Sequence, residues 1–123
     1  MKKRMIFLVI SLFSLFVVSC KYDFILPEVV PPITKPVNFL ADVAPIFSTG
    51  DKCTSCHKPG GQSPDLSAAN AYSEINPKYV NLISPATSEI LTFPGSGSHS
   101  WKGYTAGETA IILKWIEDGA NNN

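Results

Sequence analysis

The chain has 123 residues, with 10 Lys+Arg against 10 Asp+Glu, and so a formal charge of zero. That length limits the folded part to one small domain, marginal without added support. The balanced charge excludes the basic footprint that a nucleic-acid partner requires.

In chain order, the first segment reads as an export signal. Lys2, Lys3 and Arg4 form a positive start, and Ile6 to Val18 is an apolar run too short for a membrane span. The run closes with Val17-Val18-Ser19-Cys20. This resembles the lipobox of bacterial lipoproteins, in which the cysteine receives the lipid. The expectation is therefore a signal peptide over 1–19 and lipid attachment at Cys20. The product is exported and held on the periplasmic side of a bacterial membrane or at the cell surface. The plainer alternative is an uncleaved anchor, or an ordinary signal peptide with a chance cysteine. Removal of the signal leaves seven lysines against ten carboxylates, a formal charge of −3. That charge suits a weakly basic redox partner.

Residues 20–37 read as the lipid anchor and a proline-rich tether, with Pro27, Pro31, Pro32 and Pro36 opposing helix and sheet. At roughly 3 Å per residue such a segment reaches on the order of 50 Å. Phe24, Ile25, Leu26, Val29, Val30 and Ile33 leave open that part of it packs on the domain.

The folded unit is expected over 38–123. Asp42 reads as an N-cap ahead of Val43-Ala44-Pro45-Ile46-Phe47, with Pro45 in the first turn. Pro59, Gly60, Gly61 and Pro64 mark a loop. Ser67 is a candidate cap for a helix from Ala68 to about Ile75, stopped by Asn76-Pro77. Tyr79 to Ile83 is ambiguous between strand and helix. Ser84-Pro85 predicts a short helix reaching Leu91. Pro94 to His99 is turn-rich. Thr105-Ala106-Gly107-Glu108 is a capping box, followed by Ile112, Trp115 and Ile116 at helical spacing and by Gly119 as the stop. The asparagine-rich end reads as frayed.

Between the first two helices lies Cys53-Thr54-Ser55-Cys56-His57. Cys-x-x-Cys-His is the attachment signature of a c-type haem. Each thiol adds to one porphyrin vinyl group, and the adjoining histidine supplies an axial ligand to iron. Lys52 beside the motif reads as a solvated charge.

Arranged in this order, the chain resembles the class I cytochrome c domain, and most of all the small exported modules of Gram-negative bacteria. The resemblance rests on Val43 to Phe47, Cys53 to His57, Pro64-Asp65-Leu66 and Trp115-Ile116-Glu117-Asp118-Gly119-Ala120, and covers roughly 38–120. It implies an all-α fold around one covalent haem c, with crossing terminal helices for which Phe47 and Trp115 are candidates. It also implies that a proline carbonyl, best matched by Pro64 and less well by Pro59, accepts a hydrogen bond from His57.

One departure concerns the second axial ligand. The family usually offers a methionine sulfur, but the two methionines here, Met1 and Met5, lie in the signal. His99 is the only other histidine, so bis-histidine ligation by His57 and His99 is expected, with a lowered reduction potential. The plainer alternative is an exposed His99, with water, Lys102 or nothing on the distal side. Trp101 and Tyr104 are either partners of the haem propionates or ordinary core or rim aromatics.

The expected function is a tethered single-haem electron carrier with redox-protein partners, not an enzyme. A haem sensor or haem enzyme with an open sixth site is the second reading. A haem-free zinc module using Cys53, Cys56, His57 and His99 is the third, with a thiol oxidoreductase as its relative.

Overall fold

The computed structural model describes Leu26 and residues 28–123; the expected signal peptide and Cys20 lie outside the described residues. Among the described residues the fold is all-α, with four α-helices and no strand. None of these helices is long and apolar enough to cross a membrane.

The first helical run starts at Asn38, four residues before the expected cap at Asp42. Asn38 Oδ1 accepts the Ala41 N–H at 2.8 Å, and Asp42 Oδ2 accepts the Asn38 N–H at 2.8 Å. Asp42 is thus the reciprocal partner of the cap rather than the cap itself. A π-helical turn, Phe39–Val43, leads into α1, Ala44–Ser48. A regular α-helix from Asn38 would need residue 45 to donate to Ala41. Pro45 has no hydrogen to give, and the widened turn precedes it, with the Ala44 N–H reaching Phe39 five residues back.

The expected helix from Ala68 is shorter. Residues 67–70 form a turn in which the Ser67 carbonyl accepts from Asn70 and Ala71, and α2 covers Ala71–Ile75. The Ser67 N–H is drawn to Asp65 Oδ1 instead, at 2.9 Å. Asn76 is extended and ends α2 ahead of Pro77. Residues 79–83 are neither helix nor strand. The expected helix from Ser84 is broken in two, a 3-10 turn over Pro85–Thr87 and α3 over Glu89–Thr92. The break is at buried Ser88, whose hydroxyl accepts the Asn81 N–H at 2.9 Å.

The last helix, α4, runs Ala106–Glu117 and carries the full capping box of Thr105 and Glu108. Gly119 takes a φ of +100° immediately beyond it. Its buried face, Ile112, Trp115 and Ile116, meets Phe39, Val43 and Phe47 from the first run and Ile75 from α2 in one core. Each such large side chain contributes about 1.5–3 kcal/mol by leaving water. The ring that meets Trp115 is Phe39, at 5.1 Å, rather than Phe47. Tyr72 adds an edge-on contact to Phe39 at 5.3 Å.

At the two ends, one open alternative is decided and one expectation is corrected. Ile33 packs against the core and Val37 is buried, so the proline-rich segment is docked along part of its length. Val30 to Ile33 share a shallow groove with Ala110, Leu113, Lys114 and Glu117 of α4. The asparagine-rich end is folded back rather than frayed. Asn123 accepts the Phe39 N–H through Oδ1 at 2.8 Å and the Leu40 N–H through its carbonyl at 3.1 Å, satisfying two free donors of the first helical turn. Trp115 Nε1 donates to the Asn121 carbonyl at 2.9 Å. Tyr72 Oη and Asn76 Nδ2 both donate to the Ala120 carbonyl.

Deleting Asn121–Asn123 removes three of these hydrogen bonds and is expected to lower stability by about 2–3 kcal/mol. Urea unfolding followed by circular dichroism checks this, and an unchanged midpoint would show that the tail contributes nothing.

Candidate cofactor site

The motif is hung from the end of α1. Phe47 is fully buried, and its carbonyl accepts the N–H groups of Cys53 at 2.9 Å and Thr54 at 3.2 Å. From there the chain makes one helical turn, with the His57 N–H on the Cys53 carbonyl at 2.9 Å. That turn sets both cysteines and His57 along one wall of a cleft of about 520 Å³. The volume lies within the range of cofactor sites, about 300–1,000 Å³.

The segment after His57 must turn back sharply. A side-chain carbon at Gly61 would lie 2.3 Å from the Cys56 carbonyl, which also accepts the Gln62 N–H at 2.8 Å. Only glycine fits that approach. The return brings the Pro64 carbonyl to 2.9 Å from Nδ1 of His57, and the Leu66 N–H to the His57 carbonyl at 3.0 Å. A carbonyl can only accept, so Nδ1 carries the proton. Nε2 of the neutral ring is left with a free lone pair.

His99 stands across the same cleft. The His57 and His99 ring centres are 6.0 Å apart, with planes inclined at 36°. His99 belongs to a 3-10 turn, Gly97–His99, inside a loop that closes on itself. Its N–H donates to the Ser96 carbonyl, and its carbonyl accepts from both Gly95 and Lys102. Gly95 has a φ of +83°, and a side-chain carbon there would lie 3.3 Å from Gly103 Cα. The Phe93 ring packs on His99 at 4.8 Å, and Ser98 Oγ lies 3.1 Å from its Nδ1.

These residues fit a haem on several independent counts. Two imidazoles binding one ion end-on at about 2.0–2.1 Å would place their ring centres about 6.4 Å apart, close to the spacing seen. The remaining walls are mostly apolar, supplied by Leu66, Tyr79, Ile90, Phe93 and Pro94. Cys53 is half-buried and Cys56 exposed, and the two are not joined to each other. Among the described residues, no three His, Cys, Asp or Glu side chains converge as a metal site, so the tetrahedron of Cys53, Cys56, His57 and His99 is not assembled. Burial pushes the Cys53 thiol up, against the opposing pull of Lys52 and Lys102, which disfavours the reactive thiolate that thiol exchange needs.

Lys52 is not a solvated charge. Its ammonium holds both carboxylate oxygens of Glu108, at 2.6 and 2.5 Å, and so ties the motif to the start of α4. Burial raises the Glu108 carboxyl, but the Lys52 ammonium and the Thr105 N–H outweigh it and hold the group below the usual range. Lys102 Nζ lies on the Asp51 carbonyl at 3.3 Å and over the Trp101 ring. Trp101 is largely exposed at the rim. Tyr104 is a cleft wall, and burial keeps its hydroxyl protonated well above the usual tyrosine range. Phe93 and Ser98 are further site residues; Ser98 adjoins His99 in the chain, whereas Phe93 is brought to it by the closed loop.

Because the folded state depresses the Glu108 pKa, its contribution is fully present above the ordinary value of 4.5 and is lost as the pH falls through the folded value. Glu108→Gln is expected to cost about 1 kcal/mol at pH 7, less in high salt, and to flatten the loss of stability below pH 4.5. Urea midpoints measured from pH 3 to 7, an interval chosen to span the carboxylate range, check both effects. An unaltered acid limb would contradict the assignment.

Comparison with known protein families, curated proteins and solved structures gave no match, so the functional reading stands on the residues and geometry of this chain.

Proposed function

We propose that this protein is a membrane-tethered c-type cytochrome, a single-haem electron carrier with a cytochrome c-like helical fold. The observation that carries the reading is the placement of Cys53, Cys56 and His57 on one wall of the cleft, with His99 facing His57 at 6.0 Å. The bound haem would supply one-electron exchange between ferric and ferrous iron.

The chain's own residues do the rest. Cys53 and Cys56, both free and both lining the cleft, would hold the group covalently. Pro64 orients His57 through Nδ1 and strengthens Nε2 as a donor. His99, whose ring centre lies 6.0 Å from that of His57, would supply the second nitrogen ligand to iron. Leu66, Tyr79, Ile90 and Phe93 exclude water and lower the local dielectric. An iron ligated by both His57 and His99 would need little rearrangement on electron exchange, which favours a carrier over an enzyme. The signal-like start and Cys20 support export and lipid anchoring on the periplasmic side or cell surface. The formal charge of −3 beyond the signal supports redox proteins as partners and not nucleic acid.

Export of the full chain in a bacterium that matures c-type cytochromes tests the reading. The visible spectrum is expected to be low-spin in both oxidation states, without the sulfur-to-iron band of a methionine ligand. His99→Ala is expected to convert it to high-spin or mixed-spin. A high-spin wild-type spectrum would move the protein to the haem-sensor or enzyme class. Absence of haem from the exported chain would overturn the proposal.

A further inference from the structure

The two candidate axial histidines are held by unlike partners. Nδ1 of His57 faces a backbone carbonyl, that of Pro64, at 2.9 Å. Nδ1 of His99 faces a side-chain hydroxyl, Ser98 Oγ, at 3.1 Å. A carbonyl oxygen can only accept, so it admits one tautomer of His57. A hydroxyl can donate or accept, so it orients the His99 ring without locking the tautomer as firmly.

The backbone around His99 is held by hydrogen bonds within its own loop. The His99 carbonyl takes two N–H groups, from Gly95 and Lys102, and its own N–H reaches Ser96. Gly95 and Gly103 close the base of the loop. With the backbone pinned, the ring has two further constraints, the Phe93 face at 4.8 Å and the Ser98 hydroxyl. A metal-binding histidine gains donor strength when its other nitrogen donates to an acceptor, and loss of such a partner typically costs 10–100-fold in affinity.

Building on the bis-histidine reading above, we propose that Ser98 and Phe93 are positioning residues for His99. Ser98 accepts the Nδ1 proton and directs Nε2 into the cleft, while Phe93 sets the tilt of the ring. With only a hydroxyl behind it, His99 would be the ligand that a small competing donor displaces more readily.

The test is displacement of His99 by free imidazole in the haem-loaded, full-length protein, followed by optical and electron paramagnetic resonance spectra. Ser98→Ala is expected to keep the haem and the low-spin state but to bind imidazole about tenfold more readily. Ser98→Thr keeps a hydroxyl and is expected to restore wild-type behaviour. Phe93→Leu is expected to alter the resonance signature of the oxidised protein by freeing the ring tilt. Ser73→Ala, on α2 away from the cleft, controls for loss of a serine in general. Equal imidazole affinity in wild type and Ser98→Ala, with His99→Ala opening the sixth position as expected, would overturn the role of Ser98 alone. A His99→Ala protein with an unchanged spectrum would overturn the bis-histidine reading and this inference with it.

Discussion

Nδ1 of His57 has its proton committed to the carbonyl of Pro64, 2.9 Å away, so Nε2 is the ring nitrogen left for a ligand in the cleft. Much of the local structure makes that contact possible. Phe47 anchors the motif from the buried end of α1. Gly61 lets the chain pass the Cys56 carbonyl on its way back. Leu66 is buried beneath the return and its N–H holds the His57 carbonyl. Each element is local, and together they turn a flexible imidazole into a fixed donor.

The opposite side of the cleft is built by different means. No long helix supplies His99; the loop from Gly95 to Gly103 does, closed at its base by these two glycines and braced by its own carbonyls. The core that supports both sides is the meeting of the first helical run with α4, through Phe39, Phe47, Ile112, Trp115 and Ile116. Lys52 and Glu108 carry this coupling to the surface, joining the motif to the capping box of α4. A large apolar cofactor in the cleft would complete a core that is small for an independent domain.

How much of this was readable depended on whether the signal was local. The capping box Thr105 to Glu108 and the spacing of Ile112, Trp115 and Ile116 defined α4, because cap and apolar stripe lie within one segment. The first helix was displaced because Asn38 and Asp42 are both cap formers, and only their mutual hydrogen bonds decide which one caps. The broken helix at Ser88 depends on Asn81, a partner seven residues away that propensity does not see. The tail looked disordered in composition, yet Asn123 meets the first helical turn 84 residues away. In the site, Cys53, Cys56 and His57 stand out by spacing alone and His99 by elimination. Phe93 has no sequence signal, since loop closure places it, and Ser98, though it adjoins His99, is one serine among several in a turn-rich run. Lys52 looked like an ordinary surface charge because its carboxylate partner lies 56 residues on.

The central claim is that the two thiols of the motif hold one porphyrin covalently. The most direct measurement is the mass of the exported chain and of its proteolytic peptides under denaturing conditions, which strip any non-covalent ligand. The account predicts that the peptide containing Cys53 and Cys56 carries the added mass of one haem, and that Cys53→Ser with Cys56→Ser abolishes it. An exported chain with both thiols free, or joined to each other, would contradict it.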